Sequence, residues 1–231
     1  MNKPEIRMLA DQLSGLYANG EESDFSRLFR ERLFSQKISF PYMEVVGEVL
    51  YERLGAERCL KITDGLANEE YVGGFVVAAT VLQKHLRQDF SLSCKKAVEY
   101  MIAGNTWYVC DIIGERVFGY GLVNDFSKMF ACLEKFIDHE SHWIRRVVGV
   151  AVHVAAKRQI GQEKIEKLFY LSMRQAYEKN YHVKKGCGWG IETIAKFYPD
   201  FAVSARHLVE EDPKVNSWIR KDRPLMTWRM S

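Results

Sequence analysis

Trp107 and Asp111 lie four residues apart in the stretch NTWYVCDIIG, in an otherwise apolar run. On a helix that spacing sets the indole and the carboxylate one above the other on a single face. A carboxylate is almost never fully buried without a partner. The face is therefore either core, with a cation or a helix terminus satisfying Asp111, or a site. As a site it offers an anion beside an aromatic ring, and both attract positive charge.

These residues belong to a recurring segment. EYVGGF at Glu70, TWYVCD at Thr106, HWIRRV at His142, HVKKGC at His182 and SWIRKD at Ser217 each place an anchor after a polar residue. The anchors Tyr71, Trp107, Trp143, Val183 and Trp218 recur at intervals of 36, 36, 40 and 35 residues, a period found in paired-helix solenoids of the HEAT type. Each segment is expected to open the second helix of a repeat. DFSKMFACLEKFI at Asp125 and EKIEKLFYLSM at Glu163 supply first helices, because their apolar residues fall at helical spacing. The expected fold is all-α: a HEAT-like alpha-alpha superhelix, a solenoid of paired antiparallel helices with a concave basic groove, forming a single domain over residues 1–231. An all-α bundle would have the same composition. In a solenoid, equivalent positions of successive repeats become neighbours. Asp111 stands four residues past its anchor, Arg146 three and Lys185 two, so the next repeats supply the cation that Asp111 needs. Trp143 and Trp218 read as core anchors.

The 231 residues are 47% hydrophobic and 27% charged, with only 5 prolines and few β-branched runs bounded by turn residues, which favours helices over a sheet. The opening MNKPEIRMLADQ has no apolar signal core, and the longest uncharged run, Tyr71 to Gln83, is too short to cross a bilayer. A cytoplasmic protein without membrane contact is expected. The five cysteines are an odd number without a CxxC pair, which points to reduced thiols rather than a disulfide framework or a zinc knuckle. His139 and His142 lie in HESH, which is not the HExxH motif; no metal and no cofactor are expected. Charge is uneven. Residues 141–231 carry 17 Lys and Arg against 9 Asp and Glu, whereas residues 1–140 carry 16 against 21. A C-terminal excess of +8 suits an acidic partner such as nucleic acid, and equally a solvated, lysine-rich helix surface.

Three motifs in order, W-x-x-x-D at Trp107 and Asp111, WIRR at Trp143 to Arg146, and KGCGWGIETIAKFYPD at Lys185 to Asp200, resemble the AlkD-type DNA alkylation repair glycosylases from about Tyr71 onward. The resemblance implies a HEAT-like, monomeric protein that excises positively charged alkylated bases, such as 3-methyladenine and 7-methylguanine, from double-stranded DNA. It puts the catalytic aspartate on Asp111, the groove tryptophan on Trp107 and the essential arginine on Arg146. The second DNA-facing tryptophan falls on Trp189, with Lys185 in the adjoining basic position. Lys184, Lys185, Arg220, Lys221 and Arg223 are then expected to track the DNA backbone; Arg145 joins them as a candidate and fits a solvated surface as well. The chain also departs from the family. Thr106 stands where a further tryptophan is usual, Leu28 where a lesion-side tyrosine is presented, and SQKISFPYMEVV lacks the usual Gly-Ile-x-Thr-Pro pattern.

The implied chemistry suits these groups. A cationic base is already a good leaving group, so the burden falls on C1′, which becomes oxocarbenium-like as the bond stretches. A fixed anionic Asp111 stabilises that charge or orients the attacking water, and the faces of Trp107 and Trp189 attract the cationic base. Arg146 is expected to grip a flanking phosphate in bidentate fashion while keeping Asp111 ionised. Three functions fit: a glycosylase, supported by intact Trp107, Asp111 and Arg146; a HEAT-like module that binds damaged or branched DNA without cleaving it, supported by Leu28 and Thr106; and a protein-binding adaptor.

Overall fold

The computed structural model describes residues 1–35, 37–69, 71–210 and 215, and every regular element among them is a helix. The chain divides into two compact units, Met1–Gly104 and Asn105–Ser231.

In the first unit, α1 (Lys3–Ala18) starts from a capping box: the Asn2 side chain accepts from the Glu5 N–H, and the Glu5 carboxylate accepts from the Asn2 N–H. α2 (Glu22–Phe29) runs into a π-helical turn, Arg30–Phe34. α3 (Phe40–Ala67) carries a break at Gly55, where φ is +75°, a region that glycine enters at little cost. α3 packs on α1 and on α4 (Val72–His85). From Gly73 to Leu82 every residue of α4 is buried, as a sequence apolar on all sides but for Thr80, VGGFVVAATVL, requires; the Thr80 hydroxyl donates to the Val76 carbonyl oxygen. α5 (Phe90–Gly104) is tied to α3 by polar contacts. The Tyr100 hydroxyl donates to Asp64 Oδ1 at 2.6 Å, and Lys96 Nζ donates to the same carboxylate at 2.8 Å and 3.0 Å.

The second unit begins with α6 (Trp107–Ile113), which passes through a π-helical segment, Gly114–Gly119, into α7 (Tyr120–Asn124). There follow α8 (Phe126–Glu134), α9 (His142–Lys157), α10 (Gln162–Met173), α11 (Tyr181–Phe197), α12 (Pro199–Ala205) and the short α13 (His207–Glu210). α9 contacts α6 and the π-helical segment on one side and α11 on the other, while α10 packs against both α9 and α11.

Glycines set the approach of α9 to its neighbours. A Cβ on Gly186 would lie 2.7 Å from the Arg146 carbonyl oxygen, and one on Gly190 would lie 2.8 Å from the Gly149 carbonyl oxygen. A Cβ on Gly149 would run into the Gly186 carbonyl group. On the other side, Cβ atoms on Gly114 and Gly119 would press on Val150 at 2.8 Å and on Val154 at 2.6 Å. The backbones of α9 and α11 are thus in near contact, and only residues without a side chain allow it.

Four of the recurring segments lie at helix starts, opening α4, α6, α9 and α11; the fifth, with Trp218, lies outside the described residues. Their anchors do not share one register. Trp107 is the first residue of its helix, Trp143 the second and Val183 the third. Trp143 and Val183 are buried, whereas Trp107 is 55% exposed. No helix among the described residues is long and apolar enough to cross a membrane.

Candidate functional site

Asp111 on α6 is met by Arg146 on α9. Arg146 Nε donates to Asp111 Oδ1 at 2.9 Å and Nη2 donates to Oδ2 at 2.8 Å, a bidentate pair. Nη1 donates to the His182 carbonyl oxygen of α11 at 2.9 Å. Arg146 is 5% exposed overall and the Asp111 side chain 17%. The arrangement depends on the glycine contact between α9 and α11, because Gly186 meets the backbone of Arg146 itself. The guanidinium fork expected to grip a phosphate is instead closed on the carboxylate.

Asp111 and Arg146 line a recess of about 520 Å³ together with Trp107, Lys185 and Trp189. Five residues singled out from sequence therefore meet in one place. Trp107 presents most of its indole, with Tyr108 edge-on at 5.8 Å. Thr106, which precedes it, buries a hydroxyl that has no hydrogen-bond partner among the described residues. Tyr181 and His182 complete the lining and were not expected. Both open α11, as Trp107 opens α6, so an alignment on helix starts rather than on buried anchors would have found them. Lys185 Nζ lies 5.2 Å from the centre of the Tyr181 ring.

The His182 imidazole stands near the ion pair and stacks with that of His142. The His142, Trp143 and His182 rings cluster with centroid separations of 4.3–5.7 Å. Burial, followed by the nearby charge of Arg146, lowers the pKa of His182. Burial and then Arg145 lower that of His142. Trp143 Nε1 donates to Asn105 Oδ1 at 2.7 Å, which fixes the turn before α6, where Asn105 holds a left-handed φ of 43°.

The other predicted residues stand elsewhere. Arg145 does not line the recess. Its Nε donates to Glu178 at 2.9 Å, its Nη1 donates to the carbonyl oxygens of His139 and Glu140, and its side chain is 19% exposed. Burial opposes ionisation of Glu178, but the N–H groups of Asn180 and Lys179 and the Arg145 guanidinium outweigh it and lower its pKa. Lys184 is half-buried on α11 and also lies outside the recess lining. Arg220, Lys221 and Arg223 lie outside the described residues. Among the described residues, no three His, Cys, Asp or Glu side chains form a metal-ligating group.

The DNA alkylation repair enzyme family matches residues 41–222. The match includes both halves of the Asp111–Arg146 pair and every other residue of the recess, and it begins 30 residues upstream of Tyr71. No curated protein and no solved structure matches the chain.

Proposed function

We propose, on the premise that this chain belongs to the DNA alkylation repair enzyme family, that it is a monofunctional DNA glycosylase. Its substrates are positively charged alkylated purines of the 3-methyladenine and 7-methylguanine type in duplex DNA, and it hydrolyses their N-glycosidic bond. The observation that carries the reading is Asp111, a carboxylate fixed by a buried arginine in a recess that also holds two tryptophans and a lysine. The order of helix pairs in the second unit supports a HEAT-like repeat. The protein acts in this reading as a cytoplasmic monomer.

Each group has a role in the cleavage. The alkylated base leaves with its own positive charge, so no general acid is needed at the base. Asp111 accepts one N–H at each oxygen from Arg146 and keeps a lone pair on each. It can thus face the developing charge at C1′ or hold the attacking water. Arg146 acts through Asp111, keeping the carboxylate in one orientation. Trp107 and Trp189 attract a cationic base by about 0.5–2 kcal/mol each, a selectivity of roughly 2- to 30-fold per ring. Lys185 at the recess and Lys184 beside it contact backbone phosphates, which makes binding depend on salt.

The test is release of free 7-methylguanine from a methylated duplex. The wild-type protein should release the base, and Asp111→Asn should slow release by at least about a hundredfold, the scale of a lost transition-state electrostatic partner. Thr106, in place of the family's usual tryptophan, favours a second reading in which the recess binds damaged DNA without cleaving it. Salt-sensitive duplex binding with no base release from the wild type would select that reading.

A further inference from the structure

Behind the recess stands a residue that neither the motifs nor the ion pair use. Trp189 also walls a second recess of about 400 Å³, which His153 and Lys157 of α9 line together with Thr193 and Lys196 of α11. The His153 ring lies against the Trp189 indole, with centroids 3.9 Å apart and planes inclined by 27°. His153 lines the second recess and not the first. It therefore stacks on Trp189 from the second recess, while Trp189 also lines the first recess with Asp111.

The imidazole is held rather than resting there. The Thr193 hydroxyl donates to the Trp189 carbonyl oxygen at 2.8 Å and has only one proton to give. With the hydroxyl proton directed at that carbonyl oxygen, the 2.7 Å contact between His153 Nδ1 and Thr193 Oγ1 is a bond that His153 donates. A ring with its proton on Nδ1 is fixed in plane and tautomer by Thr193, one turn beyond the tryptophan it stacks on. Burial, and secondarily the charge of Lys157, push the His153 pKa down to about 4, so the plate is uncharged near neutrality.

We propose that His153 is a positioning residue that fixes Trp189 against the first recess and leaves its π-face available there to a cationic base. The inference rests on the glycosylase reading for its ligand but not for its geometry. An uncharged plate does not compete for the indole's electron density. A cation in the same place would occupy the ring from behind and weaken its attraction for a second cation in front. A small side chain would leave the indole free to turn.

Two measurements test it. The first is the ratio of affinities for two duplexes, one with a single 7-methylguanine on a 2′-fluoro sugar, which resists cleavage, and one without the methyl group. His153→Phe keeps the plate and should keep the ratio. His153→Ala should reduce it by about three- to tenfold, and His153→Arg, with a plate that carries charge, by a similar factor of about three to ten. The second is acrylamide quenching of the Trp189 emission, taken as the difference from Trp189→Phe. Quenching should rise in His153→Ala and stay at the wild-type level in His153→Phe, whatever DNA does. A wild-type ratio in His153→Ala, or an equal loss in His153→Phe, overturns the positioning role while leaving the glycosylase reading intact. No preference in any protein, with quenching as expected, overturns the cationic ligand and retains the packing. Unchanged quenching in His153→Ala overturns the proposal outright.

Discussion

Asp111 and Arg146 show how a single long-range pair decides what a residue can do. An arginine with its fork exposed binds phosphate; this one has Nε and Nη2 on a carboxylate, Nη1 on a carbonyl group, and almost no surface. Removing one partner leaves the other charged and largely buried, a change that costs about 3–5 kcal/mol. Arg146→Met should therefore lower the unfolding free energy by about that much, about 3–5 kcal/mol in urea titration, even though methionine fits an apolar surrounding. Asp111→Asn in the same background removes the orphaned charge and should recover part of the loss. Additive losses in the double variant would mean that the two side chains do not act as a pair.

At the level of elements, α9 is the helix on which the recess is built, and its sequence does not suit a helix. Residues 147–154 contain five valines, which lose rotamer freedom in a helix and favour strands when considered alone. The helix holds because nearly all of this segment is buried between α6 with its π-helical continuation on one side and α11 on the other. Gly149 is the point of closest approach, and a methyl group there meets backbone rather than a yielding side chain. Gly149→Ala should cost about 3 kcal/mol in stability, and at that cost it should also slow base release, because Arg146 and His182 are held in register by the same contact. Gly15→Ala is the control. None of the described residues comes within 4 Å of a Cβ at Gly15 in α1, and the substitution should raise stability by about 0.5–1 kcal/mol through helix propensity. Thermal melts of the two variants check both signs.

For the molecule as a whole, the titration of its histidines sets a direction for stability against pH. His153, His142 and His182 all have pKa values below the ordinary 6.5, with burial as the leading cause in each. The unfolded chain therefore binds protons more readily than the folded one as pH falls through 6.5, and for His153 down to about 4. Stability present at neutral pH is lost in that window. The melting temperature should fall between pH 7 and pH 5, and His153→Phe should show a shallower fall than the wild type. Equal slopes for the two proteins would remove His153 from the account.

Much of the recess lining was legible in the sequence, and what was not legible has one physical origin. Helical spacing, the recurrence of about 36 residues and the residue types placed Trp107, Asp111, Arg146 and Lys185 together, because periodicity and side-chain chemistry are properties of the local chain, and the family resemblance added Trp189. Four recurring segments open helices for the same reason. The burial of Trp143 agrees with its reading as a core anchor, whereas the direction of the Arg146 fork, the entry of Tyr181 and His182, and the plate that His153 lays behind Trp189 came only with tertiary structure. Each depends on how closely and in what register two helices some 36 residues apart pack. Glycine contacts such as that of Gly149 with Gly186 set that distance, and no spacing along the chain encodes it.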